Sequence, residues 1–394
     1  MNNTSVTIEK SDNQTACTIN AINNDLKEIV KPGDNVILKV NQVDGLPPDK
    51  GSTISPNSID IVARLILEAG AKDVAIAEDC GAFSDTTNIF KKLGTDVVAK
   101  KLGLKLLNLR KEPYKTVRIS DPLVPEASSL QFSLPLLECD KLISLTKLKT
   151  HHQAGYSCAL KNMYGAIADK YKRLFHRCDL EEAIIDINSV RKADYSIVDG
   201  FPGMEGIGPH IGEPVPINIV IAGEDPVAVD VVCATIMGFN LQDVRQLKAA
   251  KKKNLGISDL DKIYIKGVPI VEVFRPFKTA LEKIQSQLEG YVSISGIPCT
   301  GCSGVVGTTF MLLLGRNRKR PEDFKETTIC TGKNVLKDQK KPGKYNKFIF
   351  TVGDCACKEI DYPIKIRGCP PTITQFMEKI SPTHLGLTKW GRNL

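Results

Sequence analysis

The chain is poor in aromatic residues, which make up 6% of its 394 residues and include a single tryptophan. Trp390, alone near the C-terminus, reads as a packing anchor. Long apolar runs are missing as well. Segments such as Phe310–Leu314 fall far short of the ~20 residues that cross a bilayer as a helix. The N-terminus, MNNTSVTIEKSDNQ, lacks the basic-then-apolar pattern of an export signal. With no internal repeat and no low-complexity tract, these absences describe a soluble, cytoplasmic globular protein with no membrane partner. Charge of one sign is not extreme either: the net charge is +8. Basic residues gather at Lys248–Lys253, Arg316–Arg320 and Lys333–Lys347. The first two runs contain no aromatic residue, so a nucleic-acid platform that stacks bases is not expected. Solvated helix ends and loops account for them, and docking of an acidic electron-transfer partner such as a ferredoxin is the functional alternative.

Cysteine is what the chain has in excess, with twelve. A disulfide framework suits a short secreted domain, which this is not. Cys17, Cys80, Cys139, Cys158, Cys178 and Cys233 are scattered among mostly apolar neighbours and read as small core residues. The other six lie between 299 and 369, and that asymmetry calls for a chemical reason.

Periodicity gives the frame. DNVILKV (34–40) reads as a strand, 58–70 as a helix closed by Gly70, DVAIAED (73–79) as a strand and 85–103 as helix. KLISL (141–145), YSIVDG (195–200) and PINIVIAG (216–223) continue as strands, with helices near 179–191 and over 226–237. Strand–helix alternation predicts an α/β fold with mostly parallel sheets flanked by helices. Functional groups then belong at the C-terminal ends of the strands. An amphipathic helix over Ile270–Leu288 is expected to connect residues 1–270 to a second, smaller flavodoxin-like domain over 291–394. In that domain strands YVSISG, ETTIC, KFIFTVG and YPIKI alternate with helices 304–314 and 373–380.

Each cysteine of interest follows a predicted strand, on a loop. Cys299 and Cys302 follow VSISG, Cys355 follows FIFTVG, and Cys369 follows PIKI. Glycines 301, 353 and 368 let the backbone approach a ligand closely. Soft thiolates in this number suit a 4Fe–4S cluster, with structural zinc as the alternative. CTGC, GDCA and GCPP together resemble the proximal-cluster site of nickel–iron hydrogenase small subunits and the related Complex I subunit. The resemblance spans three short segments at compressed spacing. It implies Cys299, Cys302, Cys355 and Cys369 as ligands, with Cys330 and Cys357 as spares; Cys357 could replace a named ligand.

A second constellation precedes it. Four of the five histidines lie between 151 and 210. The segment LTKLKTHHQAGYSCALKNMYG (145–165) carries Lys147, Lys149, His151, His152, Lys161 and Asn162. His176 follows, then DGFPGMEGIGPHIGEP (199–214) with Asp199, Glu205 and His210, then Asp225 and Asp230. Lysines that hold anions, and histidines that exchange protons near neutrality, at successive strand exits predict a site for an anionic small molecule. Lys161, His151, His152 and His176 are the candidate catalytic groups. Lys149, Asn162, Asp199, Glu205 and His210 are the candidate binding groups.

These motifs, with KVNQVDG and TISPNSIDIVARLILEAGAKDVAIAED before them, resemble domain-of-unknown-function family 362 over roughly residues 30–240. Val40 stands where a proline is usual. The resemblance implies association with iron–sulfur clusters, here through the cysteine set and not through an appended ferredoxin-type segment. The segment from His151/His152 to Lys161, with His176 beyond, is also similar to the nickel-pincer site of lactate racemase. That similarity implies Lys161 as nucleotide anchor, His176 as nickel ligand and His151 or His152 as proton carrier. Cys158 and Ala159 replace the glycine pair usual there. Three functions follow as expectations: an iron–sulfur oxidoreductase of anaerobic metabolism, a racemase or epimerase, or a non-enzymatic electron carrier or metallocofactor assembly factor.

Overall fold

A computed structural model describes residues 4–81, 84–335 and 347–385, without the side chains of 382–385. Trp390 and residues 336–346 of the third basic run lie outside the described residues. In chain order the strands of the first part are β1 Thr4–Lys10, β2 Asn35–Lys39, β3 Asp73–Glu78, β4 Lys105–Asn108, β5 Tyr114–Arg118 and β6 Ser129–Ser133. They continue as β7 Lys141–His151, β8 Gly155–Ser157, β9 Tyr195–Ile207, β10 Ile211–Val215, β11 Ile219–Gly223 and β12 Ile263–Gly267. Ten of these form one sheet, ordered β12-β1-β11-β9-β7-β2-β3-β4, with β8 and β10 hairpinned onto β7 and β9. The run from β9 through β4 is parallel throughout.

Alternation along these strands sorts apolar side chains to two sides. Leu38, Ile76, Ile143, Ile197 and Val220 join one core, under the helices Gln14–Ile29 and Pro56–Glu68. Ile37, Leu142, Val198 and Ile221 join the opposite one. The sheet is therefore covered on both faces, as parallel pairing requires. The Pro56–Glu68 helix forms for local reasons too: Ser55 caps it by accepting from Ser58 N–H, and Pro56 opens its first turn.

Several expected elements shift. Gly94, at φ +79°, splits the 85–103 helix into Thr86–Leu93 and Thr95–Leu102. The single connecting helix over 270–288 is two, Ile270–Val273 and Ala280–Gln287. Pro276 interrupts it, and a Thr279/Glu282 capping box starts a new helix. The polar N-terminus contributes β1 and the helix after it, which hydropathy alone did not indicate. β7 and β9 run six or seven residues past their apolar stretches, because pairing with each other and with β8 and β10 carries them on.

The second, smaller sheet is wholly parallel, in the order β13 Val292–Ser295, β14 Thr327–Thr331, β15 Phe348–Val352, β16 Ile364–Ile366. The helices Ala280–Gln287, Thr300–Leu314 and Ile373–Leu385 share a core with it, including Phe310, Phe350 and Phe376.

Candidate functional site

The parallel strands β2, β3, β7 and β9 end side by side and place ionisable residues together. Lys147, Lys149 and His151 alternate along β7 and share one face; all three are buried. Lys39 ends β2 and pairs with Glu78 at the end of β3, 3.0 Å apart and with neither side chain more than 4% exposed. Asn162 ties this corner together. Its amide donates to the Lys39 carbonyl (3.3 Å) and to Ser144 Oγ (2.9 Å), while its oxygen accepts from Asn41. Gly165 packs against this corner, where an added Cβ would lie 2.9 Å from Lys39 Nζ and displace that ammonium.

Sorting the lysines by counterion separates two from the rest. Lys39 has Glu78, Lys147 has Asp199 at 3.1 Å, and Lys172 has Asp79. Lys149 has none: it donates to Asn41 Oδ1 and to the Ser52 carbonyl, both at 2.6 Å. Burial, reinforced by the nearby Lys161 charge, pushes its ammonium down to about 7. The Lys161 side chain makes no hydrogen bond or ion pair among the described residues, and its ammonium stands 5.1 Å over the Tyr164 ring. Burial, then the Lys172 charge, lowers it to about 8.

The histidines divide by tautomer. His151 Nδ1 accepts from the N–H groups of Gln153 and Ala154, each at 3.1 Å, which leaves the proton of the neutral ring on Nε2. His152 Nδ1 donates to the Gly208 carbonyl at 2.9 Å and His176 Nδ1 to the Lys172 carbonyl at 2.7 Å. Their Nε2 lone pairs therefore stay open. Burial lowers all three rings, His152 to about 4 and His176 to about 3, so each is neutral at pH 7. His151 and His152 stack with centroids 4.6 Å apart, and the Lys161 charge reaches all three rings. The group holds one ring N–H donor, two ring acceptors and two lysines without counterions.

The remaining predicted residues take other positions. Asp199 is saturated by Lys147, Ser58, Gln14 and the Phe201 N–H, and so braces the strand end. Glu205 is drawn away from the histidines: it accepts from Arg275 (3.3 Å) and from the Lys278 N–H. His210 is half exposed and bonds Asp44 at 2.6 Å, at the edge of the group. Asp225 caps the Pro226–Ile236 helix, and Asp230 is buried beneath the Ala159 N–H. Lys39, Glu78, Asp79, Lys172 and Arg245 are members of these networks that the sequence did not single out.

The cysteines of interest lie at strand ends of the smaller sheet. Cys299 caps the Thr300–Leu314 helix, so Cys302 lies in the first helical turn and not in the expected loop. Cys355 likewise sits in the Asp354–Glu359 helix. The Cys302 thiol and the backbone N–H groups of Gly301 and Cys302 hydrogen-bond to Cys299, and with Arg245 beside it they hold its thiol down at about 5. The same shared bond pushes Cys302 up. Cys369 is exposed and lies 3.5 Å from Arg245 Nη1. Cys355 is exposed, whereas Cys357 is buried with its thiol donating to the Thr351 carbonyl. Among the described residues no three His, Cys, Asp or Glu side chains are already disposed as ligands of one metal ion. The donor chemistry nevertheless suits a cluster. One thiolate is stabilised at a helix start, and Cys302 Sγ faces the bare Cα of Gly353, where a Cβ would sit 2.6 Å away.

The two groups share a wall. The Thr300–Leu314 helix lies on the 151–155 loop, with Gly304 so close to the Gln153 carbonyl that a Cβ would collide with it. Thr308 Oγ1 donates to the His152 carbonyl at 3.3 Å, and Gln153 Nε2 to the His176 carbonyl at 2.9 Å. A cleft runs between, lined by Gln153, His176 and Glu181 on one side and Gly301 and Pro370 on the other.

A two-face α/β sheet whose strand ends gather lysines and histidines, joined to a cysteine-bearing parallel sheet, defines the class of protein. The family described as Domain of unknown function (DUF362) matches residues 36–235, and the chain belongs to it. The Thylakoid-associated protein sll1697 of Synechocystis sp. is 28% identical over 232 residues, which cover 57% of this chain and 70% of that protein. The lactate racemase apoprotein from Thermoanaerobacterium thermosaccharolyticum aligns at a TM-score of 0.41 and 13% identity, over 59% of this chain. The chain spans 57% of the racemase's length. No helix among the described residues is long and apolar enough to cross a membrane.

Proposed function

We propose that the chain is an iron–sulfur oxidoreductase that exchanges electrons with an anionic small molecule held at the His/Lys group. The observation that carries this reading is the shared wall: the helix that begins at Cys299 lies on the loop that carries His151 and His152. A 4Fe–4S cluster on Cys299, Cys302, Cys355 and Cys369 would supply one-electron transfer. The chain's own residues do the rest. Lys161 and Lys149 provide the positive charge that lacks a counterion. His151 Nε2–H donates a hydrogen bond to the ligand, and the open Nε2 atoms of His152 and His176 accept hydrogen bonds from its protonated groups. A ferredoxin-like protein is the natural electron donor, since the cysteine edge is exposed at Cys355 and Cys369. The test is reoxidation of the dithionite-reduced chain by a panel of small carboxylates and phosphates. One or more should reoxidise it at least tenfold faster with wild type than with Lys161→Ala. Equal rates across the whole panel contradict the assignment of the site.

A racemase-type reaction at the same residues is the second reading. It is favoured by the free Lys161 amine, held near 8, beside two neutral histidines with open Nε2 atoms. Stoichiometric nickel, or a mass adduct on Lys161, would promote it over electron transfer.

A further inference from the structure

Arg245 sets a cation between the Cys369 thiol and the carboxylates of Asp179, Glu181 and Glu182. It opens the Arg245–Lys252 helix, and its backbone N–H donates to Thr300 Oγ1 at 3.0 Å, one residue from Cys299. Thr300 Oγ1 in turn donates to Glu181 at 2.5 Å, which fixes the helix start against the larger sheet's body. The guanidinium pairs with Asp179, stands 3.6 Å from Glu182, and reaches Cys369 Sγ with Nη1 at 3.5 Å. Its buried Nε makes no hydrogen bond among the described residues, and the Glu181 carboxylate stands 3.8 Å from it as an ion pair. That nitrogen lies against Gly301, where an added Cβ would come within 3.0 Å of Nε and 2.5 Å of Cδ. Glycine between the two cysteines of CTGC is therefore the opening through which the arginine approaches them.

We propose that Arg245 is a positioning residue that sets the reduction potential of the cysteine site, through its Nη1 hydrogen bond to Cys369 and its fixed charge beside the Cys299 helix start. The inference rests on the cluster reading above. Reduction adds one negative charge to a site already bounded by thiolates. A fixed cation and N–H donors aimed at sulfur stabilise that reduced form more than the oxidised one and raise the potential. Asp179 keeps the guanidinium from swinging away, so its geometry does not depend on solvent. Arginine serves where lysine would not, because one planar fork has to bond a carboxylate and a sulfur at once.

The experiment is an EPR-monitored redox titration of the full chain loaded anaerobically with iron and sulfide, as wild type, Arg245→Lys and Arg245→Met. Iron content is measured on each sample. Arg245→Met is expected to retain its iron but to lower the midpoint by a roughly tenfold change in the one-electron equilibrium, 59 mV. Arg245→Lys is expected to fall between it and wild type. If Arg245→Met does not fold or takes up no iron, Arg245→Lys decides the matter, because it keeps the charge and loses the fork. An unchanged midpoint at equal iron content overturns the inference and leaves the cluster reading standing. A wild-type chain that takes up no iron overturns both.

Discussion

The His/Lys group and the cysteine group are built on opposite plans. At the ends of β2, β3, β7 and β9 nearly every charged side chain is buried and already bonded, leaving Lys149 and Lys161 as the lysines without a counterion. At the ends of β13, β15 and β16 the thiols range from buried Cys302 through half-buried Cys299 to exposed Cys355 and Cys369. Cys299 is bonded by the helix-start N–H groups of Gly301 and Cys302 and by the Cys302 thiol, and Cys369 by a single arginine. A site fixed by side-chain networks is ready before its ligand arrives. A site made of thiols with few side-chain partners takes its final form from what it binds. The difference places rigidity in the His/Lys group and adaptability in the cysteine group.

The strongest way to sharpen this contrast is to remove a thiol. Cys299→Ser is expected to abolish iron uptake while leaving secondary structure intact, and Cys357→Ser to leave iron unchanged, as read by iron and sulfide assays with circular dichroism. Iron lost with Cys357→Ser but kept with Cys355→Ser would exchange the two ligand assignments. Next comes the rigid side. Glu78→Gln leaves Lys39 buried without a counterion and is expected to cost about 3–5 kcal/mol in urea denaturation. A loss under ~1 kcal/mol would show that the corner is not pre-built.

The wall between the regions is tested by Gly304→Ala, which forces a methyl onto the Gln153 carbonyl. The expected loss is about 1–3 kcal/mol, with the perturbed resonances confined to His151, His152 and the Thr300–Leu314 helix. The smallest effect is one of pH. Lys149 and Lys161 are cationic below about 7 and 8 and neutral above. Affinity for malonate, a dianion throughout the window, is therefore expected to fall roughly tenfold between pH 6.5 and pH 9. Titration calorimetry that shows no change would separate these lysines from the ligand.

Much of this was legible in the residues, and the misses have physical causes. The α/β layering followed from apolar periodicity, since Ile37/Leu38 and Leu142/Ile143 face two covered sides. The extension of β7 through Lys147, Lys149 and His151 was not legible, because a buried strand carrying two lysines contradicts the rule that predicts strands. Lys39 and Glu78 lie in segments that read as plain strands, so their pairing appears only when β2 and β3 stand side by side. Arg245 gave no signal at all. It adjoins the Lys248–Lys253 run that reads as a solvated helix end, and its partners are 55 to 124 residues away. Glu205 had the right spacing and the right loop, but Arg275 and the Lys278 N–H hold it elsewhere. Spacing locates a strand exit, and only packing decides which way a side chain turns.

The central claim is that thiols at one sheet's edge and a His/Lys group at the other's form one redox unit. It is tested most directly by anaerobic purification of the chain with metal analysis and EPR after dithionite reduction. About four irons and four sulfides per chain, with a reduced-cluster signal lost in Cys299→Ser, is the predicted result. Stoichiometric zinc without iron and no signal on reduction would contradict it.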